Sequence, residues 1–209
     1  LALGTPWGSL ADLAAGPENR SAAVLSLVTA TLACLISTTF GLALALKLAR
    51  SSGPLTVLLR ALVLVPLVLP PVVSGIALLL AYGRQSLLAP LLESAGIRVV
   101  FTTSAVVIAQ VFVSLPFVVL TLESAFRASG FAEERAAASL GARPMRVFRT
   151  VTVPRFAPSI LIAATLALAR SLGEFGATLT FAGSLAGLTR TLPLQIYLAR
   201  EGDIADAVG

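Results

Sequence analysis

The sequence contains no histidine, one lysine and one cysteine among its 209 residues. Without histidine there is no imidazole general base, no serine–histidine triad and no common type of zinc site. Lys47 follows an alanine- and leucine-rich run and not the glycine-rich loop that cradles nucleotide phosphates, so the chain has no Walker-type ATP site. Cys34 has no second cysteine with which to form an internal disulfide. We therefore predict that the chain is not an enzyme.

Charged side chains are also scarce, at 12% of the sequence, against about 25% in a typical soluble domain. Hydrophobic residues make up 57%, in continuous runs that favour membrane-spanning helices. Basic residues outnumber acidic ones by 15 to 10, but aromatic residues are only 6%. In a membrane protein this excess is typical of positively charged cytoplasmic loops, so we predict lipid contact and no nucleic-acid partner.

Four apolar segments are long enough to cross a hydrocarbon core, which takes about 20 helical residues. They comprise residues 22–46, 58–82, 99–122 and 156–182. Kinks are predicted in the second and third segments, because proline removes a backbone N–H from a helix, at Pro66, Pro70, Pro71 and Pro116. Alanine and glycine in the fourth segment would let helices approach closely. The predicted fold is an all-α, polytopic transmembrane helical bundle.

The two ends of the sequence suggest a longer protein. The first residue is Leu1 and the last residues are polar, so we expect further sequence at both ends and six spans in the complete protein. Residues 183–209 mix apolar and charged side chains, which predicts an external loop with a short surface or re-entrant helix.

The charges between the spans predict the topology. Segments 47–57 and 123–155, with Arg60 just beyond the first, carry nine basic and three acidic side chains, whereas the opposite side carries five basic and six acidic ones. The positive-inside rule therefore places residues 47–57 and 123–155 in the cytoplasm of a multi-pass protein of the plasma, or cell inner, membrane.

Residues 127–155 form an arginine-rich segment, here called the coupling loop. It contains two short predicted helices, residues 131–140 and 144–150, separated by Gly141, because glycine favours the left-handed conformation that ends a helix. Pro144 suits the first turn of the second helix, and Pro154 is predicted to separate the loop from the next span. The first helix has an alanine face suited to a partner's groove, although spacing alone is more typical of a solvated cytoplasmic loop.

The stretch ERAAASLGARPMRVFRTVTVP, residues 134–154, resembles the EAA loop of ABC importer permeases. That pattern is E-A-A, three residues, G, nine residues and I-x-L-P. Arg135 stands where the family has glutamate, and Glu134 lies one residue early. The resemblance implies a cytoplasmic helix-turn-helix that docks on a separate ATPase, with coupling residues Glu134, Arg135, Ala136, Ala137, Gly141, Ala142, Pro144, Val151, Val153 and Pro154.

Two further stretches resemble permeases of molybdate and tungstate importers more than sulfate permeases. They are ALARSLGEFGATLTFAGSLAGLTRTLPLQIY, residues 167–197, and LVLPPVVSGIALLLAYG, residues 67–83. The resemblance covers residues 22–200. It implies a single importer transmembrane domain over residues 1–209, a homodimer of this permease, two ATPase subunits that bind ATP and Mg²⁺, and an extracytoplasmic oxyanion-binding protein. No cofactor is implied for this chain itself.

Arg170 and Glu174 lie four residues apart, which predicts one helical face deep in the fourth span. Charges inside a span face protein or water, so the pair either lines the path or gate or forms a structural ion pair. Small and hydroxyl side chains nearby suit close approach of an anion but equally suit helix packing. The predicted path residues are Arg170, Ser171, Gly173, Glu174, Gly176 and Thr178, and Ser74 and Gly75 are of the same kind. Contacts with the binding protein are predicted at Arg84, Arg98 and Arg190.

Three alternatives remain open at this point. Sulfate or another oxyanion is an alternative within the class. A secondary transporter or channel driven by an ion gradient is an alternative from another class, and a membrane scaffold without transport is a third.

Overall fold

The computed structural model describes the backbone of residues 16–86 and 88–208, and the side chains of these residues up to residue 200. Every regular element among them is a helix, which confirms the predicted all-α class. The elements are α1 (Pro17–Arg50), α2 (Pro54–Val68), α3 (Pro71–Tyr82), α4 (Ala89–Ser94), α5 (Thr103–Ser129), α6 (Ala132–Ser139), α7 (Pro144–Val147), a π-helix (Phe148–Thr152), α8 (Val153–Leu172), α9 (Gly176–Ala182) and α10 (Leu192–Val208).

Among the described residues, three helices are long and apolar enough to cross a membrane. They are Pro17–Arg50, Thr103–Ser129 and the continuous run Pro144–Leu172, and α2 and α3 are shorter apolar helices. The first and third predicted spans, residues 22–46 and 99–122, thus correspond to α1 and α5. Asp12, counted in the topology, and Gly209 of the predicted external loop lie outside the described residues.

The second predicted span, residues 58–82, is wrong as a single helix. It consists of α2 and α3, separated at Leu69, whose ψ of 132° is extended. Pro70 and Pro71 follow, and a residue before proline is driven out of the α region while proline itself offers no N–H. Pro66 lies inside α2 and Pro116 inside α5, and neither ends its helix. The double proline is therefore what breaks the span.

The fourth predicted span, residues 156–182, is also divided. Helix α8 ends at Leu172 and α9 begins at Gly176. In the break, the carboxylate of Glu174 accepts a hydrogen bond from the N–H of Ala177 at 2.8 Å. A helix leaves its first N–H groups without backbone partners, so Glu174 stabilises a new helix start at this point.

Two further boundaries differ from the sequence prediction. Pro154 does not separate the coupling loop from the next span, since it lies inside α8, which continues without a break from the π-helix. The wider π turn before it lessens the demand for the i→i−4 bond that proline cannot donate. In the predicted external loop, α10 is 17 residues long and not a short helix.

By their internal contacts the described residues divide into two units. The first unit takes its residues from 1–32, 70–110 and 172–209, and the second from 33–69 and 111–171.

In the first unit α3 packs closely on α9. A Cβ added to Gly75 would lie 2.7 Å from Cβ of Thr180 and 2.8 Å from the carbonyl oxygen of Ala177. Tyr82 and Phe181 extend the contact, with ring centroids 5.9 Å apart. Only glycine allows the two backbones to come this close.

The core of the second unit is aliphatic and aromatic. Phe126 of α5 meets Phe156 of α8 edge to face, with ring centroids 4.6 Å apart, and Leu48 of α1 is buried beside them. Hydroxyls of Ser37 and Ser114 share a buried hydrogen bond of 2.8 Å between α1 and α5. Polar residues thus pair across the helices where they would otherwise be unsatisfied in lipid.

Candidate functional site

The coupling loop contains a compact helix end around Gly141. The N–H of Gly141 donates to the carbonyl of Ala138 at 2.9 Å, and the N–H of Ala142 donates to the carbonyl of Ala137 at 3.1 Å. Gly141 has a φ of +81°. This pair of bonds with a left-handed residue is the Schellman motif, which satisfies the last carbonyls of a helix. The structure therefore confirms that Gly141 ends the first helix of the loop.

The tip of the loop presents apolar side chains to the outside. Leu140 is 89% exposed and Met145 is 61% exposed, on either side of Gly141. Arg135 and Ala136 of α6 are exposed as well, and Ala137 is half-buried. Exposed apolar residues rimmed by polar ones are typical of a docking surface. Leu140 and Met145 were not singled out from the sequence, although an apolar pair in an arginine-rich loop is a signal that could have identified them.

The other coupling residues lie around or behind this tip. Ala142 belongs to the turn between α6 and α7, Pro144 is the first residue of α7, and both line a cavity of about 690 Å³. Val151 is half-buried in the π-helix, Val153 is half-buried at the start of α8, and Pro154 is exposed. These aliphatic residues therefore belong to the root of the loop and not to its tip.

Glu134 points into the protein. Its side chain is buried, pairs with the guanidinium of Arg50 at the end of α1, and accepts a hydrogen bond from the hydroxyl of Thr152 at 2.7 Å. Arg135, at the family's glutamate position, is the exposed neighbour. Glu134 is thus arranged to hold the loop in place through Arg50 and Thr152.

A second buried carboxylate lies close to the coupling loop. Glu123 of α5 is 5% exposed and accepts hydrogen bonds from Arg60 Nη2 at 2.5 Å and Arg127 Nε at 2.9 Å. Arg127 Nη2 also donates to the carbonyl of Leu48 at 2.7 Å. This network joins α1, α2 and α5. It was not predicted, because residues 63 positions apart form it and a single sequence does not reveal that pairing.

Arg170 and Glu174 do not lie on one helical face. Arg170 is half-buried in the last turn of α8, whereas Glu174 is buried in the break after Leu172 and caps the start of α9. The prediction was wrong because i,i+4 spacing aligns two side chains only while the helix continues. Ser171 is buried at the end of α8, and Gly173 is exposed in the break.

The remaining path residues belong to the close contact of α3 and α9 in the first unit. Gly176 approaches Pro71, whose Cβ would lie 2.8 Å from an added Cβ. Thr178 of α9 and Ser74 of α3 are buried, and their hydroxyls find no hydrogen-bond partner among the described residues. Buried hydroxyls are normally paired, so these two are the candidate polar contacts of this helix pair.

The three arginines predicted to contact the binding protein differ in solvent exposure. Arg84 and Arg98 are exposed and line one cavity of about 840 Å³, together with Glu93. Arg190 is half-buried and donates to the hydroxyl and the carbonyl of Ser184, each at 3.3 Å. Arg190 therefore shapes its own loop, while Arg84 and Arg98 face outward.

Comparison with known proteins agrees with this arrangement. Residues 37–207 match the family described as "Binding-protein-dependent transport system inner membrane component". The molybdenum transport system permease protein ModB of Mycobacterium tuberculosis is 51% identical over 208 residues, covering all of this chain and 79% of that protein. ModB of Escherichia coli is 41% identical over 177 residues, covering 84% of this chain and 77% of that protein.

A sulfate transport system permease protein, CysW of Synechococcus elongatus, is also similar. It is 39% identical over 182 residues, covering 87% of this chain and 64% of that protein. The family match covers most of the chain, and it agrees with both the apolar helices and the coupling loop. The chain therefore belongs to the family of membrane components of binding-protein-dependent transport systems, and it is a transport permease and not itself an enzyme.

Proposed function

We propose that this chain forms the translocation path of an ATP-driven importer of molybdate, or of the closely similar tungstate. The choice of molybdate over sulfate rests on one observation. The chain is 51% identical to a mycobacterial molybdenum permease over its whole length, against 39% to the cyanobacterial sulfate permease. Sulfate remains the second candidate, because that similarity is still substantial.

The proposed complex contains two copies of the permease, two ATPase subunits that bind ATP and Mg²⁺, and an external oxyanion-binding protein. The exposed tip at Leu140 and Met145 supports docking of the ATPase on the coupling loop. Arg84 and Arg98 are the proposed contacts for the binding protein, since both are exposed at one cavity. Arg190, the third proposed contact, holds its own loop through hydrogen bonds to Ser184.

The proposed location is the cell inner membrane, with residues 47–57 and 123–155 in the cytoplasm. The ion pair between Arg50 and Glu134 supports this, because it joins the end of α1 to the coupling loop and so puts both segments at the same end of the second unit.

The proposed path follows the α3–α9 contact, with Ser74 and Thr178 offering hydroxyls to the anion. Gly173, Glu174 and Gly176 of the first unit adjoin it as proposed gate residues, and Arg170 and Ser171, also proposed for the gate, precede them in the chain at the end of α8. Neutral donors suit a path fed by a binding protein, because weak contacts let the anion leave.

Uptake by proteoliposomes tests the anion. The full-length permease would be reconstituted with its ATPase and binding protein, and accumulation of labelled molybdate, tungstate and sulfate compared at equal concentration. We expect ATP-dependent accumulation of molybdate and tungstate well above that of sulfate. Preferential sulfate uptake would favour the second candidate, and uptake without the ATPase would favour a gradient-driven carrier.

Substitutions at Gly141 test the role of the helix end. A β-branched side chain at a φ of +81° costs about 1–2 kcal/mol, so Gly141→Val is expected to shift the loop and lower uptake about tenfold. Asparagine tolerates this conformation, and an added Cβ would meet nothing within 4 Å, so Gly141→Asn is expected to retain most uptake. Equal loss in both variants would point to contact with the glycine itself and not to backbone conformation.

A further inference from the structure

Glu134 is the buried centre of a junction within the second unit, in which the Arg50 side chain is 46% exposed. Its carboxylate pairs with Arg50 Nη2 through one oxygen and accepts the Thr152 hydroxyl at 2.7 Å through the other. A buried charge is costly unless it is paired and hydrogen-bonded, and here both carboxylate oxygens have partners. Removing either partner leaves part of this charge unsatisfied.

The three members of the junction belong to three different elements. Glu134 belongs to the coupling helix α6, Arg50 is the last residue of α1, and Thr152 is the last residue of the π-helix that continues into α8. Arg50 also lies over the ring of Phe131, 5.0 Å from its centroid, at the start of α6. Helix α6 thus holds the ends of two membrane helices through side chains.

The hydroxyls of the two threonines in the π-helix have different hydrogen-bond partners, which supports a specific role for Thr152. Thr150 is exposed, and its hydroxyl donates to the carbonyl of Arg146 in its own helix at 2.8 Å. Thr152 is buried and donates to Glu134. Single π turns are frequent at functional sites, where they reorient one side chain relative to a regular helix.

We propose that Glu134 is a positioning residue that makes the ends of α1 and α8 move together with the coupling helix. Given the proposed function, ATP-driven displacement of α6 then reaches α1 through Arg50 and α8 through Thr152. Glu134 acts within the permease, one residue before the position at which the family's motif carries its glutamate, which Arg135 occupies here. This assigns Glu134 a role separate from contact with the ATPase.

The test measures anions transported per ATP hydrolysed by the complete reconstituted complex, using labelled molybdate. Glu134→Gln and Thr152→Val are expected to lower this ratio about fivefold or more, the lower end of typical coupling between sites. Thr152→Ser keeps the hydroxyl and is expected to restore the ratio. Thr150→Val is the matched control, with the same change two residues earlier, and is expected to leave the ratio unchanged.

Two outcomes would overturn the proposal. One is a wild-type ratio in Glu134→Gln and Thr152→Val, even if their thermal stability falls, since a purely structural junction affects stability alone. The other is an equal loss in Thr150→Val. If the Glu134→Gln permease does not assemble, the ratio measured for the milder Thr152→Val variant decides whether the proposal holds.

Hydrogen exchange separates this inference from the identity of the anion. In the permease–ATPase complex, residues 45–50 are expected to change their exchange rate on ATP binding, and Thr152→Val or Glu134→Gln is expected to weaken that response. A response unchanged by both substitutions, or absent in the wild type, contradicts the inference. Wild-type exchange as expected but without molybdate uptake contradicts only the proposed anion.

Discussion

Leu140→Asp is expected to abolish stable association with the ATPase and reduce ATP-driven uptake to background. Leu140 is 89% exposed at the tip of the coupling loop, so it contributes little to the fold of the permease. Burying a leucine in a partner's groove is worth about 1.5–3 kcal/mol, and an unpaired carboxylate adds a desolvation cost of similar size. Together these weaken the complex by about 100-fold or more.

Co-purification of the ATPase with tagged permease variants measures this effect. Leu140→Met keeps an apolar side chain of similar volume, and is the control expected to retain the ATPase. The thermal midpoint of Leu140→Asp alone is expected to stay within a few degrees of wild type. If Leu140→Asp co-purifies as well as Leu140→Met, the tip is not the docking surface.

Glu123→Ala is expected to destabilise the permease by about 2 kcal/mol. The substitution leaves two guanidiniums, Arg60 and Arg127, next to each other without the carboxylate between them. Breaking a buried pair typically costs about 3–5 kcal/mol, but both arginines are partly exposed, so solvent screening reduces the effect. Helices α1, α2 and α5 lose a shared contact at the same time.

Thermal unfolding in mild detergent measures the loss, with Glu133→Ala as the matched control. Glu133 is 59% exposed and pairs with Arg155, and exposed pairs contribute about 0–1 kcal/mol. The midpoint should therefore fall clearly in Glu123→Ala and little in Glu133→Ala. Similar unfolding midpoints in the two variants would show that Glu123 does not stabilise the second unit.

The coupling loop could be predicted from the sequence because its signals are local. Gly141 lies nine residues after Ala132, the start of an alanine-rich helix, and three before Pro144. It fixes a Schellman end that needs only neighbouring backbone groups. Long apolar runs identified α1 and α5 for the same reason. The sequence was sufficient to predict those helix boundaries that depend on adjacent residues.

The interrupted spans show where hydropathy is not enough. Residues 156–182 are mostly apolar and carry only two charged side chains, Arg170 and Glu174, so their composition predicts one helix. The break arises because Glu174 satisfies the N–H of Ala177 and because Gly176 packs against Pro71, about 100 residues earlier in the chain. Average hydropathy does not reveal a hydrogen bond that starts a new helix inside an apolar run.

The ion-pair network could not be predicted for a related reason. Arg50 and Glu134 are 84 positions apart, and Arg60 and Glu123 are 63 apart. In the sequence these residues are indistinguishable from the other charges of cytoplasmic loops. Only the packing of α1 with α6, and of α2 with α5, brings them together, and it turns the Glu134 side chain toward the interior.

Native mass spectrometry of the tagged, full-length permease, purified in mild detergent, tests whether a separate ATPase assembles with it. We expect a complex with two permease chains and two ATPase subunits, which changes its mass on addition of ATP and Mg²⁺. Recovery of the folded permease alone, with no nucleotide-binding subunit under conditions that preserve membrane complexes, would contradict coupling to a separate ATPase.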